Sequence, residues 1–495
     1  MDYLELLKLA APELIVVVTA LVVLSADLLT MHGLELRFRL LIGGMISCVG
    51  CVAAIGWMAA LPGGGNLSEG MLVLNPLTQF VKSAVLVLAV LTVVLSMDSD
   101  FTTHVGEYFA LVLMAAVGMM FLVGSEDILM IFVSLELTSL SLYILTAFNK
   151  QSLQPAEAAL KYFLFGGVSA AFTLFGLSLL YGLSGATNLS QIATSIQGPK
   201  LDPLLAVAIV MTVIGFGFKV AAAPFHLWAP DAYQGAPAPS AAFIASGSKV
   251  ASFFIFARVM MLGFKGAEGS GAWHAYVPGW LPVLAIIAAV SMVLGNLAAI
   301  VQGSVRRLLA YSAIAHAGYM LLGVMSRGGP GLAALIYYAV TYGLTTLGAF
   351  GVVAVVEKQS GGSQLSDFAG LSRRSPALSF CMLIFMLSLA GIPPLAGFFG
   401  KFYLFSAALG TPSEPFGLLW LVVLALALSA VSLYYYLQVL KRIYVVEAPS
   451  SAAPVRVPLV SQVTVAVVAL TVVVLGCAPE WLIAKLSAAI SLAGP

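Results

Sequence analysis

The sequence predicts an all-α polytopic membrane protein with about 14 transmembrane helices, two of them broken. Three observations carry this expectation. The chain is 61% hydrophobic and only 9% charged, with a mean hydropathy of +1.06; a soluble domain carries about 25% charged residues. Apolar runs of roughly 20 residues, the length that crosses a bilayer, recur from end to end. Ionisable residues sit inside several of these runs, and in two runs a proline interrupts the helix.

The runs fall near 13–30, 38–60, 74–97, 107–124, 127–148, 156–183, 203–229, 237–264, 281–302, 307–325, 331–356, 376–408, 416–440 and 458–478. The first follows Asp2 and Glu5 and contains Glu13 and Asp27. A secretory signal has a basic start and a small-residue cleavage site, so this run reads as a retained helix. Cys48 and Cys51 form a C-x-x-C inside the second run, where cysteine also serves as a small apolar residue; neither they nor Cys381 and Cys477 are assigned a function. The longest connections, 184–202 and 357–375, are too short for a folded domain. The chain therefore reads as one transmembrane domain, 1–495, with three N-terminal helices in 1–106 and a last helix and tail in 458–495. Glu480 to Ile490 carry a weak interfacial-helix pattern.

Orientation is read from loop lysines and arginines. Connections after odd-numbered runs carry Arg37, Arg39, Lys150, Arg306, Arg307, Lys358, Arg373, Arg374, Lys441, Arg442 and Arg456. The termini and the other connections carry Lys8, Lys200, Lys265, Arg327 and Lys485. This places the odd connections, here called the basic face, in the cytoplasm and both termini outside.

The seventh run, ending in GFGFKVAAAPFHLWAP, holds Lys219, Pro224, His226 and Pro230, with Pro237 and Pro239 just beyond. The twelfth, FMLSLAGIPPLAGFFGKFYLF, has Pro393 and Pro394 as breakers and Lys401 after them. Broken backbone survives at membrane depth only where it lines a cavity or is buried in protein. Runs seven and twelve are five apart and so point in opposite directions. Interrupted helices in corresponding places mark inverted repeats around a midplane ion site, which predicts repeats of helices 4–8 (107–265) and 9–13 (281–445). The match is imperfect, because Lys219 precedes its breaker and Lys401 follows it.

A charge at the centre of a spanning helix costs at least about 2.5–3.5 kcal/mol, yet Lys82, Lys161, Lys219, Lys249, Arg258 and Lys401 all lie within runs. Lys219 is the leading candidate, with Glu136 of run five as its partner and the deepest acid in the chain. Burial favours the neutral amine and a nearby carboxylate favours the ammonium, so breaking and restoring their contact would release and capture a proton. The alternative is a static ion pair, which seldom stabilises more than apolar residues would. Lys249, among the small and hydroxyl residues of SGSKVASFF, is placed to take a proton from the Lys219 region; a snorkelling or carbonyl-bonded lysine is the plainer reading, and Lys401 faces the same choice. Lys161 has Glu157 at helix-pair spacing. Lys82 has no evident partner, and Arg258 reads as snorkelling from the end of run eight. His226 and His316 are either relays or histidines hydrogen-bonded in place.

Among absences, there is no dinucleotide fingerprint, P-loop or iron–sulfur cysteine spacing, no charged ligand cluster for a metal, and no basic-aromatic pattern for nucleic acid. The chain moves an ion but supplies no visible fuel.

PFHLWAPDAYQGAPAPSAAFIASGSK, ELTSLSLY with Glu136, LTQFVKSAVLVLAVLTVVLSMD and GLSRRSPALSFCMLIFMLSLAGIPPLAGFFGKFYLF together resemble the antiporter-like membrane subunits of respiratory complex I. The resemblance spans nearly the whole chain. It implies two linked half-channels for protons, with Glu136 and Lys219 as a switchable pair, Lys249 linking the halves, Lys401 leading to the outer face, and Lys161 in the path. It also implies a bacterial plasma-membrane location, other antiporter-like and small membrane-arm subunits as partners, and no cofactor on this chain; NADH, FMN, iron–sulfur clusters and quinone belong to partner subunits. Gln234 departs from the pattern, since many relatives carry an acid there. Two other complexes remain open on this scaffold: a sodium/proton antiporter without redox activity, and a hydrogenase- or ferredoxin-linked membrane complex.

Overall fold

In a bilayer every backbone polar group must be satisfied within the chain, which leaves the helix as the natural spanning element for these apolar runs. The computed structural model describes residues 7–493 apart from 62–63, 68–69, 151, 197–200, 274, 411–415, 449–454 and 456. Lys200 and Arg456 of the charge count therefore lie outside the described residues. Helices α1 (Ala11–Leu29), α2 (Leu36–Ala60), α3 (Pro76–Ser96), α4 (Val105–Val123), α5 (Ile128–Thr146) and α6 (Leu153–Ser184) match the first six runs. The seventh is split into α7 (Pro203–Lys219) and α8 (Trp228–Gly235). The eighth is also split, into α9 (Ala238–Ala245), α10 (Gly247–Arg258) and a π-helical turn over Val259–Gly263. Then follow α11 (Trp280–Ile300), α12 (Val305–Met325), α13 (Gly328–Ser360), the broken pair α14 (Pro376–Ala390) and α15 (Ala396–Leu409), α16 (Leu419–Tyr444), α17 (Leu459–Cys477) and α18 (Glu480–Ala493).

Three features depart from the sequence expectation. The interruption at Ser246 has no proline: its hydroxyl back-bonds to Ala242 O at 2.6 Å and Gly247 follows it, a Ser/Gly combination that kinks helices. Two short antiparallel hairpins, β1–β2 (Gly65–Leu67 and Leu72–Leu74) and β3–β4 (Ser270–Ala272 and Ala275–Val277), occupy connections read as plain loops. The weak tail signal is a full helix, α18, which packs on α13 and α3.

The inverted repeat is written into backbone hydrogen bonds. Helix α6 ends at Gly185 with φ 68°, and α13 at Gly361 with φ 76°, the left-handed cap glycine tolerates best. After α6, Ile128 N donates to Thr187 O and Leu189 N to Glu126 O, both at 2.9 Å. After α13, Val305 N donates to Ser363 O and Leu365 N to Gly303 O, both at 2.8 Å. The same clasp thus joins the start of the second helix of each repeat to the end of the third. Counting crossings puts the two clasps on opposite faces.

The breaks correspond just as closely. Ala221 N donates to Phe218 O and Ala222 N to Gly217 O in one; Gly391 N donates to Ser388 O and Ile392 N to Leu387 O in the other. Ala221 and Gly391 both take the left-handed conformation, with φ 58° and 86°. In this register Lys219 corresponds to Leu389, and Lys401 to Asp231.

Burial divides the helices by role. The 18-residue apolar windows of Ala238–Gly263 and of α13 are 100% and 94% buried, whereas those of α1, α2 and α6 are below 40%. Helices apolar on every side are interior ones, so α9, α10 and α13 form the axis together with α12, which is also 94% buried, and helices such as α1, α2 and α6 present faces to lipid or to partners. Gly476 of α17 is the contact that holds the second break: a Cβ there would lie 2.1 Å from Pro394 O and 2.6 Å from Ala396 N. Gly476→Val is expected to cost about 1–3 kcal/mol by overpacking, seen as a lower thermal midpoint of the purified protein, whereas Gly182→Ala, where a Cβ meets nothing within 4 Å, leaves it unchanged.

Candidate functional site

The last carbonyls of a helix have no partner inside it, and the helix end carries about half a negative charge. A lysine therefore finds acceptors at a break that an unbroken helix would not offer. Lys219 is the last residue of α7, and its ammonium donates to Ser139 Oγ of α5. It also lies 5.9 Å from the ring centre of Tyr143 and 5.6 Å from that of Phe218. Glu136, half-buried, sits one turn before Ser139 on α5. Among the described residues no ion pair joins Glu136 to Lys219; the direct contact expected from the sequence is replaced by the Ser139 hydroxyl, on the same helix face.

Lys401 resolves the mismatch between the breaks. Side chains lean toward the N-terminus of their own helix, so from its place in α15 Lys401 reaches back across the break. Its Nζ donates to Leu389 O and Ala390 O, each at 3.0 Å, and to Ser429 Oγ of α16 at 2.8 Å. Leu389 is the residue equivalent to Lys219. Two different sequence positions thus bring a lysine to the carboxyl end of the first half-helix, Lys219 from within it and Lys401 from across the break, and the Lys401 ammonium bonds the carbonyls freed there.

Between them lies a buried polar line. Lys249 of α10 donates to Ala313 O of α12 at 2.6 Å and sits 5.5 Å from the Tyr342 ring centre. One turn beyond Ala313 is His316, with Nδ1 2.6 Å from Tyr338 Oη and Nε2 3.0 Å from Tyr436 Oη. Tyr436 Oη is also 2.5 Å from Ser312 Oγ. The His316 ring packs edge-on against Tyr319, whose ring centre is 5.3 Å from the Lys401 ammonium. Lys249 and Lys401 are carbonyl-bonded, yet neither snorkels, since both are buried.

A second polar cluster lies toward the basic face. Lys161 is 2.7 Å from Glu157, as expected, and 2.9 Å from Asp231. The other Asp231 oxygen is 2.9 Å from Arg307 Nη1, which also donates to Gln234 Oε1 at 3.0 Å. Gln234 thus supplies a neutral acceptor to Arg307. The cluster ties α6 and α8 of the first repeat to α12 of the second. Beside it opens a cavity of about 460 Å³ lined by Asp98, Asp100, Arg306, Glu357 and Lys358. His226 is half-buried beside Pro224, with its Nδ1 unpartnered, and nothing among the described residues joins its ring to a buried lysine.

Three readings from sequence are corrected. Lys82 has a partner, Glu13, at 2.6 Å, and both side chains are almost wholly buried. Glu13, not Glu136, is therefore among the deepest acids. Arg258 does not snorkel; it is mostly buried and pairs with Glu126. Sequence reasoning also passed over Asp231, Ser139, Tyr338 and Tyr436. The spacing of Tyr338, Tyr342 and Thr346 along one face of α13 was the signal available.

Comparison with known proteins agrees with the fold. Residues 125–431 match the family model described as NADH:quinone oxidoreductase/Mrp antiporter, TM. The chain belongs to this family. NADH-quinone oxidoreductase subunit N 2 of Acidobacterium capsulatum is 53% identical over 490 residues, covering 97% of this chain and 98% of the relative. A subunit N of Desulforamulus reducens is 40% identical, covering 84% of each. Among solved structures, a chain of respiratory complex I from Thermus thermophilus with bound Aureothin has a TM-score of 0.77 at 33% identity, covering 96% of this chain and 99% of its own. A chain of the Mrp complex from Dietzia sp. has a TM-score of 0.83 at 21% identity and speaks for the fold alone.

Tyr436→Phe removes a partner from both His316 and Ser312, and is expected to destabilise the protein by about 1–3 kcal/mol, lowering the thermal midpoint. Tyr434→Phe, at a ring 54% exposed, serves as the near-neutral control.

Proposed function

We propose that this chain is a proton-translocating membrane-arm subunit of NADH:quinone oxidoreductase, in the inner membrane of a bacterium, with the basic face inside and both termini outside. Its partners are other antiporter-like and small membrane-arm subunits. NADH, FMN, iron–sulfur clusters and quinone act in other subunits, and their electron transfer drives the protons here.

The observation that carries the reading is the state of the three axial lysines. Lys249 and Lys401 are buried and Lys219 is half-buried, and among the described residues each is held by hydroxyl or carbonyl oxygens without an ion pair. An uncompensated charge in a dry interior is costly, so a lysine held this way serves as a carrier that alternates between its two protonation states. Protons arrive from the basic-face cavity, where the Lys161–Asp231–Arg307 cluster sets the local charge. Glu136, one turn from Ser139, provides the field that holds or releases the Lys219 proton. Lys249 passes protons to His316, whose two nitrogens face two tyrosine hydroxyls, and Lys401 delivers them to the opposite face. Sodium transport is disfavoured by the same residues: an ammonium only donates hydrogen bonds and cannot ligate a cation.

Proton pumping and quinone reduction in membranes carrying Lys219→Ala test this directly. Both are expected to collapse while the complex stays assembled, with no rescue by added sodium. Undiminished pumping would show Lys219 to be structural and the relay wrong.

A further inference from the structure

Outside the axial line the membrane interior holds a second lysine–carboxylate site that the relay does not use. Lys82 of α3 donates to Glu13 Oε1 of α1 at 2.6 Å, with side chains 0% and 1% exposed. The other carboxylate oxygen, Oε2, is buried and has no partner among the described residues. A static pair has no use for that arrangement. Leaving a buried acceptor unsatisfied costs about 1–3 kcal/mol, more when it is charged, and apolar residues would tie α1 to α3 at least as well.

The surroundings show how the site is closed. A Cβ at Gly124, the cap of α4, would lie 2.7 Å from the Lys82 Nζ, so the ammonium packs directly on the backbone there. The β1–β2 hairpin covers it: Val73 N donates to Gly124 O at 2.6 Å, and Leu72 and Leu74 pack with Leu9, Ala10 and Phe121. At the hairpin tip Gly70 O accepts from Glu126 N at 2.8 Å. Glu126 in turn pairs with Arg258, the end of the helix that carries Lys249. The hairpin therefore touches both the closed pair and the end of the axial helix, on the face opposite the basic one.

We infer that Glu13 and Lys82 form a further proton-holding site on that face, covered by the β1–β2 hairpin and loaded at Glu13 Oε2. The proton adds to Oε2, turning the carboxylate into a carboxylic acid, while Oε1 keeps the Lys82 hydrogen bond. Loss of that proton to the outer face restores the ion pair, so one proton enters and one leaves. The inference rests on proton carriage by this chain but not on the Lys219 step.

Two measurements test it. In assembled complex, Glu13→Gln/Lys82→Met is expected to lower proton pumping severalfold; pumping at the unmodified rate would overturn the site and leave a structural pair. In the unmodified complex, a hydrophobic carbodiimide, whose C=N bond takes up the O–H of a protonated buried carboxyl, is expected to label Glu13 severalfold more during NADH turnover than at rest. Glu13 unlabelled in both states overturns the inference, and this readout decides if the double variant does not assemble. Lys219→Ala pumping, run in parallel, reports on the axial relay alone, so the two ideas fail separately.

Discussion

An ammonium inside a membrane protein must find oxygen acceptors, and a continuous helix has few to spare because its carbonyls are already bonded. The whole interior follows from that shortage. Breaking a helix frees its last carbonyls, and Lys401 takes two of them, from Leu389 and Ala390. Elsewhere other oxygens serve: the Ser139 hydroxyl for Lys219, which ends its own half-helix, and the second lone pair of Ala313 O for Lys249. None of these acceptors is charged. Each holds the ammonium without neutralising it, as the proposed carrier role requires and as a structural ion pair does not provide.

The two repeats share a backbone but not a charge pattern. Their clasps and breaks match hydrogen bond for hydrogen bond, yet the position seven residues past the equivalent prolines, Pro224 and Pro394, is Asp231 in one and Lys401 in the other. One half places a lysine before its break and an acid after it; the other places only a lysine after. In the proposed relay, a scaffold symmetric in backbone and asymmetric in charge would give the path a direction, because equivalent places on the two sides would hold protons with different neighbours. The Asp231 bridge to Lys161 and Arg307 then links the halves toward the basic face.

Ion pairs at the edges have a different task. Arg258 with Glu126, and Asp231 with its two cations, join segments distant in sequence, while Arg39 with Asp27 joins the consecutive helices α1 and α2. Arg306 grips the turn between α8 and α9 through the carbonyls of Gln234 and Ala236, at 2.7 and 2.5 Å. These contacts hold the irregular segments flanking the breaks, where loop backbone would otherwise lack partners.

Much of this was legible in the residues. Hydrophobic length set the number of crossings, because the bilayer thickness is fixed, and proline marked two breaks, because it removes a donor and clashes within the helix. The same chemistry singled out Lys219, Lys249 and Lys401 as residues too costly to be incidental and left His316 open between a relay and a histidine hydrogen-bonded in place. The break at Ser246 escaped, since serine and glycine also sit quietly in membrane helices. Pairing escaped more thoroughly. Nothing local ties Lys82 to Glu13, Lys161 to Asp231 or His316 to Tyr436, residues 69, 70 and 120 positions apart. Hydropathy and helix-breaking act over one or two turns and so are determined by the sequence alone; which oxygen meets which nitrogen depends on how helices pack, and only the tertiary structure decides it.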